Sequence, residues 1–443
     1  MRISAPFFLV PLLILALGWS GPAQKVIKVP EQYGTIQAAI DAAKNSDVIS
    51  VGSGTYRETI NFKGKAISVQ SRDGALNTVL DGGMAGSVVT FNSGEGPASI
   101  LQGFTITNGS SVFGGGIHCM FTSPTIQDNV VILNVAQTGG GGLFARESHA
   151  TITRCSFMRN YASSASGSGG GMFLFRGRPT ITNSIFWRNV AGLHGGGMYL
   201  SNASPIITNS TMYDNAAPNE PVQSGRGNAI FAFNSPALVT NSIVRTNSSQ
   251  SASPVLAGYG SSVFPEITYC NIDSYSGQGN FSSSPTFVDD ASGDFHLRSN
   301  SPNISRGIST APALPSVDFE GDPRPASHID VGADQFHPHL YSSGTIRPGG
   351  TLNASITGQK YETAAWAFNL NRETANPPLT VPGLQGVLHL QFPIGLIPFG
   401  SIPKSGATGF SIPLPWSTPV GTRITSQALI GTTLSNLEVI VIL

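Results

Sequence analysis

The sequence predicts an all-β protein: a right-handed parallel β-helix with an N-terminal capping α-helix, followed by a small C-terminal β-sandwich. Three observations predict it. A glycine triplet followed by an apolar residue recurs at Gly114-Gly115-Gly116-Ile117, Gly140-Gly141-Gly142-Leu143, Gly169-Gly170-Gly171-Met172 and Gly195-Gly196-Gly197-Met198, with a degenerate copy at Gly227-Asn228-Ala229-Ile230. An asparagine recurs in step with it, at Asn134, Asn160, Asn189, Asn215 and Asn247, both markers spaced by 26, 29, 26 and 32 residues. Between the markers lie short alternating stretches, in which Ile181 and Phe186 take the places of Ile152 and Phe157, and of Ile207 and Met212. Alternation means strands with one buried face. A repeat of this length holding three short strands suits one coil of a solenoid, whereas helical repeats would need a 3.6-residue period that these segments lack. A coil cannot bury its apolar side alone, so successive coils must pair their strands and align like residues into files about 4.8 Å apart.

Residues 1–23 read as a signal peptide: Arg2 supplies the positive start, Phe7 to Trp19 a short apolar stretch, and Gly21 and Ala23 the small residues a signal peptidase accepts. No second apolar run of 18 or more residues follows, so no transmembrane segment is expected in the mature chain. The next element, TIQAAIDAAKNSD, places Ile36, Ile40 and Ala43 on one helical face. An open solenoid end exposes unpaired core and unpaired strand edges, and this short amphipathic helix is placed to cover them. The β-helix with its cap should occupy residues 24–282, its earlier coils carried by AISVQS, TVLDGG, SVVTFNS and ILQGFTITNG. Residues 338–443 differ in texture. TLNASITG, GVLHLQF, GFSIPLP and LEVIVIL alternate in polarity and are broken by Gly and Pro, as in a small sandwich.

Several of these segments carry a family resemblance. IQAAIDAAKNSDVISVGSGTYRETINFKGKAISVQS resembles the opening of the pectin-lyase-like superfamily, in which a capping helix leads into the first coils. The glycine-aliphatic element and the FxxN element (Phe157 to Asn160, Phe186 to Asn189) resemble repeats of bacterial polymorphic outer-membrane proteins. SSPTFVDDASGDFHLRSNSPNISRGI, DFEGDPRP and IDVGADQF, within residues 283–337, resemble the closing segment of bacterial choice-of-anchor Q β-helix proteins, which implies that this stretch finishes the solenoid. The C-terminal end resembles modules of large exported bacterial proteins, which implies export or surface display. These resemblances speak to fold far more than to activity.

Composition narrows the function. Charged residues make up 11% of the 443-residue chain, with 24 basic and 24 acidic side chains and no block of one sign. The long-range field that draws in nucleic acid or an anionic membrane is therefore missing, and no nucleic-acid partner is expected. Cys119, Cys155 and Cys270 are too few and too scattered for a disulfide framework, and with CxxC and HExxH absent no specific metal motif is present.

The strand after each glycine triplet supplies the candidate surface. Its first position (Ile117, Leu143, Met172, Met198, Ile230) and third position (Cys119, Ala145, Leu174, Leu200, Ala232) are apolar and should point inward. The second column, His118, Phe144, Phe173, Tyr199 and Phe231, and the fourth, Met120, Arg146, Phe175, Ser201 and Phe233, then point outward. From these the expected substrate-binding residues are His118, Phe144, Arg146, Phe173, Phe175, Tyr199, Phe231 and Phe233. An outward aromatic stripe offers faces on which sugar rings stack, and a large exposed apolar patch marks an interaction site. Two other readings stay open: the stripe is covered by a loop, the C-terminal domain or a partner chain, or the parity is inverted and the aromatics form the core.

Catalysis has less support. A glycoside hydrolase needs two carboxylates across one bond. Asp128, Glu147, Asp214 and Glu220 fall at different repeat positions. A lyase needs a base and usually a cation; Arg146, Arg176, Arg178 and His194 lie near the candidate face without an accompanying acid cluster. Asp289, Asp290, Asp294, Asp318, Glu320 and Asp322 form acid-rich turns in the closing segment that either hold calcium or cap turns. No other cofactor is expected. The leading expectation is a secreted or cell-surface protein, not an enzyme, that binds polysaccharide or another envelope component along the solenoid face. The rival is a polysaccharide lyase or glycoside hydrolase, and a purely structural envelope protein is the third reading.

Overall fold

The computed structural model describes residues 24–217, 227–245, 255–257, 263–273 and 275–336, and beyond them the strands from Leu340–Ser343 to Glu438–Val441. The expected signal peptide, Glu220 and Asn247 lie outside the described residues.

Stacked coils form three long parallel sheets of ten, nine and eight strands and a short fourth sheet of four. Register keeps like residues aligned from coil to coil. In the ten-stranded sheet one file runs Ile27, Ile49, Val69, Leu101, Ile126, Ile152, Ile181, Ile207, Val239, Ile267. In the nine-stranded sheet Leu80, Ile106, Val131, Phe157, Phe186, Met212, Val244 and Ile272 align, with the Phe157 and Phe186 rings stacked 4.9 Å apart. In the eight-stranded sheet Ile60, Val89, Ile117, Leu143, Met172, Met198 and Ile230 share one interior row. Every residue of these three files is buried, and each large aliphatic taken from water contributes about 1.5–3 kcal/mol. The inward parity expected for the strand after each glycine triplet is the one found.

The turns explain the two sequence markers. Asn134, Asn160, Asn189 and Asn215 form a buried ladder: each side-chain amide donates to the Oδ1 of the next, at 3.1, 3.0 and 2.9 Å. Each amide also donates to a backbone carbonyl of the preceding coil, such as Phe157 O from Asn189 at 2.8 Å. A second turn carries Cys155, Ser184, Ser210, Ser242 and Cys270; the side chains of the last four each accept from the backbone N–H of the preceding one, one coil away. Cys155 and Cys270 are thus small turn residues, while Cys119 sits in an interior strand row; all three are free and buried, and burial pushes their thiols up.

The glycine triplet serves two needs. Its first glycine takes a positive φ, +69° at Gly169, which an L side chain resists. Its second and third are dictated by close approach: a Cβ on Gly170 would lie 2.3 Å from Val190 O, and one on Gly171 2.6 Å from Gly197 O.

The helix Ile36–Ala42 buries Ile36, Ala39 and Ile40 against the first coils, with Ala43 just beyond it also buried. At seven residues it is too short to be stable alone, and other elements satisfy both its ends. The Glu58 carboxylate accepts from the N–H groups of Ile36 and Gln37, and Lys65 Nζ donates to the carbonyls of Ile40, Asp41 and Ala43.

After the last coil the closing segment turns back along the flank of the solenoid. A hairpin, Phe287–Asp289 with Asp294–Leu297, leads into irregular turns that reach residue 336. Phe287, Phe295, Leu297, Val331 and Phe336 form a second core with Ile185, Trp187, Tyr213 and Ile243 of the nine-stranded sheet. Turn asparagines of the coils anchor it, with Asn209 Nδ2 donating to Asp330 O and Asn241 Nδ2 to Ile308 O. Strands beyond residue 340 form two antiparallel sheets. The face-to-face packing of a sandwich falls on side chains outside the described residues.

Candidate functional site

Strand pairing aligns the expected stripe as drawn: His118, Phe144, Phe173, Tyr199 and Phe231 in one outward file, and Arg146, Phe175, Ser201 and Phe233 in the other. The first file is not an open surface. The chain leading into each triplet, including the strands Ser110–Phe113 and Val135–Gly139 of the four-stranded sheet, folds over it. Phe113 sits 4.7 Å from Phe144, a Cβ on Gly139 would lie 2.4 Å from the Phe173 ring, and His194 stacks on Phe231 at 4.0 Å with a 12° interplanar angle. Phe144 and Phe231 keep only 5% of their surface each. These two expected contact residues are packing residues, because a covering layer removes them from solvent. Phe173 and Tyr199 are half-buried, their rings edge-on at 4.7 Å. His118 is half-buried against the edge of Phe144; burial lowers its pKa, so the imidazole is neutral at pH 7, and its Nε2 has no hydrogen-bond partner among the described residues.

The second file is only partly open: Arg146, Phe175 and Phe233 are half-buried and Ser201 is buried. Phe121, which sequence reasoning did not single out, is 54% exposed. It occupies the turn after the strand, where successive coils impose a left-handed backbone, and its φ of +56° is strained for a bulky residue. The Arg146 guanidinium lies 5.5 Å from the Phe121 ring and 5.6 Å from the Phe175 ring, and Arg176 lies 5.0 Å from Phe175. Phe121, Arg146 and Phe175 belong to three consecutive coils, so they make an aromatic–cation–aromatic ladder along the long axis. Its signal was faint in the sequence because Phe121 lies one place beyond the paired strand.

The scattered acids of the coils are ordinary ion-pair partners. Asp128 pairs with Arg154, Glu147 with Arg176 and Asp214 with Arg188. Among the described residues of this face no two carboxylates oppose each other.

The acids of the closing segment divide into two groups. Asp289 accepts from the Ser292 hydroxyl, and Asp318 Oδ1 accepts from the N–H groups of Glu320, Gly321 and Asp322; these are turn caps. Glu320 instead meets His296 and Asp334, neither singled out in the sequence, and one ligand-type atom from each lies within 4.8 Å of the others. They line a cleft of about 380 Å³ that Ser156, Met158 and Ile185 of the solenoid complete. Asp334 is buried, which pushes its pKa up to about 7, with the nearby His296 opposing the shift. Glu320 keeps 34% of its side-chain surface; desolvation first and the Asp334 charge second raise its pKa. His296 Nδ1 lies 2.6 Å from Asp294 Oδ1, while Nε2 faces Glu320 Oε1 at 3.5 Å.

Comparison with known proteins agrees with the architecture. Residues 103–264 match the family model described as a right handed beta helix region, under half of the chain. With the stacked parallel sheets, this defines a right-handed parallel β-helix repeat protein. A probable pyruvate decarboxylase of Schizosaccharomyces pombe is 32% identical over 111 residues, which cover 21% of this chain and only 17% of that protein. No helix among the described residues is long and apolar enough to cross a membrane.

Proposed function

We propose that this chain is a secreted or cell-surface β-helix protein that binds polysaccharide along its solenoid face and does not cleave it. The observation that carries the reading is the partly exposed ladder of Phe121, Arg146 and Phe175 with Arg176 beside it. Aromatic faces pack against the apolar faces of sugar rings, and guanidinium groups hold carboxylate or sulfate substituents through forked hydrogen bonds. Coil stacking repeats these groups along one axis, the arrangement a linear polymer needs. The likeness of the closing segment to choice-of-anchor Q proteins and of the repeats to polymorphic outer-membrane proteins belongs to the same reading, as does export through residues 1–23.

Retention on a panel of neutral and acidic polysaccharides tests it. Phe175→Ala combined with Arg146→Ala should abolish retention on the glycan that the parent binds, whereas the buried Phe144→Ala should act on thermal stability instead. Unchanged retention in the double variant would remove the ladder from the binding surface. The same panel, incubated with and without Ca²⁺, should yield neither unsaturated products nor new reducing ends; either would overturn the non-catalytic assignment.

A further inference from the structure

The cleft in the closing segment is built independently of the aromatic ladder, and it gathers an imidazole and two carboxylates whose ligand-type atoms lie within 4.8 Å of one another. His296 donates through one nitrogen to Asp294 or shares a proton with it at 2.6 Å, which directs the other nitrogen at Glu320. The approach of Nε2 to a carboxylate oxygen at 3.5 Å is favourable either with a proton on the imidazole or with a cation held between the two groups. A third donor, the buried Asp334 carboxylate, closes the same space. One of its oxygens accepts from Leu297 N at 2.8 Å, which orients the group. The buried Arg324 guanidinium turns elsewhere: it donates to Gln335, to Asn183 and to the carbonyls of Gly332 and Ala333.

We infer that His296, Glu320 and Asp334 form a binding site for a first-row divalent transition ion of the Zn²⁺ class. Two ligands of one tetrahedral Zn²⁺ at about 2.0–2.1 Å stand about 3.3 Å apart, close to the separation of His296 Nε2 and Glu320 Oε1. A mixed nitrogen and carboxylate set suits such an ion, whereas Ca²⁺ takes about 6–8 oxygen ligands. Asp294 plays the supporting part of a carboxylate behind a ligating imidazole, fixing its tautomer and its orientation. The three ligands come from the hairpin strand Asp294–Leu297, the turn at 318–322 and the stretch at 330–336. An ion here ties the irregular closing segment together against the coils, and its remaining coordination position opens into the cleft for water or an entering anionic group.

The test uses the full, untagged chain after chelator treatment. Calorimetric titration should show one Zn²⁺ bound per chain and a raised melting temperature, and Co²⁺ in its place should give visible absorption bands of a low-coordinate nitrogen and oxygen site. Glu320→Gln, at the solvent edge of the cleft, should abolish stoichiometric binding and the Co²⁺ bands. Asp294→Asn, a change behind the ligand, should weaken Zn²⁺ by about 10–100-fold. Asp289→Asn, in a neighbouring acidic turn, should leave binding unchanged. Absence of saturable Zn²⁺ binding would reduce the cluster to a proton-sharing network and overturn the proposal. Zn²⁺ binding that survives Glu320→Gln would overturn the site, and preference for Ca²⁺ at the same residues would overturn the ion class.

Discussion

The asparagine turn of the coils and the closing segment both bury polar groups, and they do so in opposite ways. Along the turn, neutral amides repeat at each coil and satisfy one another; Asn160, Asn189 and Asn215 are interchangeable rungs. In the closing segment, Asp318, Asp330 and Asp334 are buried around the single guanidinium of Arg324, and no position repeats another. A ladder needs only a period. A charged cluster needs a particular set of side chains drawn from distant stretches, and removing one member leaves the others as uncompensated charge.

The largest predicted effect follows from that contrast. Arg324→Met should cost about 3–5 kcal/mol, because Asn183, Gln335 and two carbonyls lose a buried donor and the field of the guanidinium on Asp318, Asp330 and Asp334 is removed. Urea unfolding measures the loss, and limited proteolysis shows where it falls. Cleavage confined to residues 283–336 would show that the flank peels away from intact coils. A single cooperative transition would merge the two regions into one folding unit and break the comparison.

On the ladder side, Asn189→Ala strands the Asn160 backbone N–H, one amide hydrogen of Asn160 and the Phe157 carbonyl in a dry interior, while Asn215 Oδ1 keeps the N–H of residue 189. The expected loss is about 2–4 kcal/mol, also read from urea unfolding. Replacing Asn134, the last rung at the N-terminal end of the described ladder, should cost somewhat less: its amide also serves carbonyls and the next rung, but its Oδ1 accepts only from Gly109 N, where Asn189 Oδ1 accepts from both the backbone and the amide of Asn160. Equal losses at the two positions would mean that the rungs act singly and not as a chain.

How much of this was legible in the sequence follows from the same distinction. Ile117, Leu143, Met172 and Met198 announced a common interior row because each coil imposes the same steric demand on the same position. The asparagine step was visible for that reason too, though the second reason for the triplet glycines, backbone passing within a Cβ radius, needed coordinates. Phe144 and Phe231 were read as outward, with a covering layer left as one of the open readings; at these two positions it is the one found, and the sequence could not choose it because the strands that cover them precede the repeat motif and vary in sequence. His296, Glu320 and Asp334 left no periodic trace. They meet only because the chain doubles back along the nine-stranded sheet, a tertiary event that neither spacing nor polarity encodes. Asn209 shows the converse: Asn209-Ser210-Thr211 has the N-x-S/T pattern of a glycosylation acceptor, yet Asn209 is buried and donates to the carbonyls of Asp330 and Gly332.

A third test sets the two ends of the molecule against each other with pH. Asp47, beside the capping helix, accepts from Lys44 N and Lys25 N, and the first of these chiefly holds its pKa below the usual range. A lowered folded-state pKa means stability present above the unfolded value and lost as pH falls through the folded one. Asp330 is the opposite case: burial raises it to about 6 despite the N–H donors of Ser305 and Phe336. Its stability contribution is complete below the unfolded pKa and is lost as pH rises through about 6. Hydrogen exchange with chelator present, corrected for intrinsic rates, should therefore show protection falling at Val26–Val29 as pH drops below about 4 and at 330–336 as pH rises from about 4 to about 6, levelling off above that. Protection at both ends moving in the same direction would refute the assignment.

The smallest effect sharpens the comparison most directly, because it concerns the same residue type. Arg154 forks onto Asp128 at 2.6 and 2.9 Å, shorter contacts than most of those Arg324 makes. But Arg154 retains 24% and Asp128 30% of their side-chain surface, so water screens the pair and rehydrates whichever partner is left behind. Arg154→Met should cost only about 0.2–1 kcal/mol, and less at high salt. Distance alone would rank Arg154 above Arg324; burial reverses the order. If urea unfolding found the two substitutions equally costly, the closing segment's charge would have to be better solvated than its packing against Trp187, Phe295 and Val331 allows.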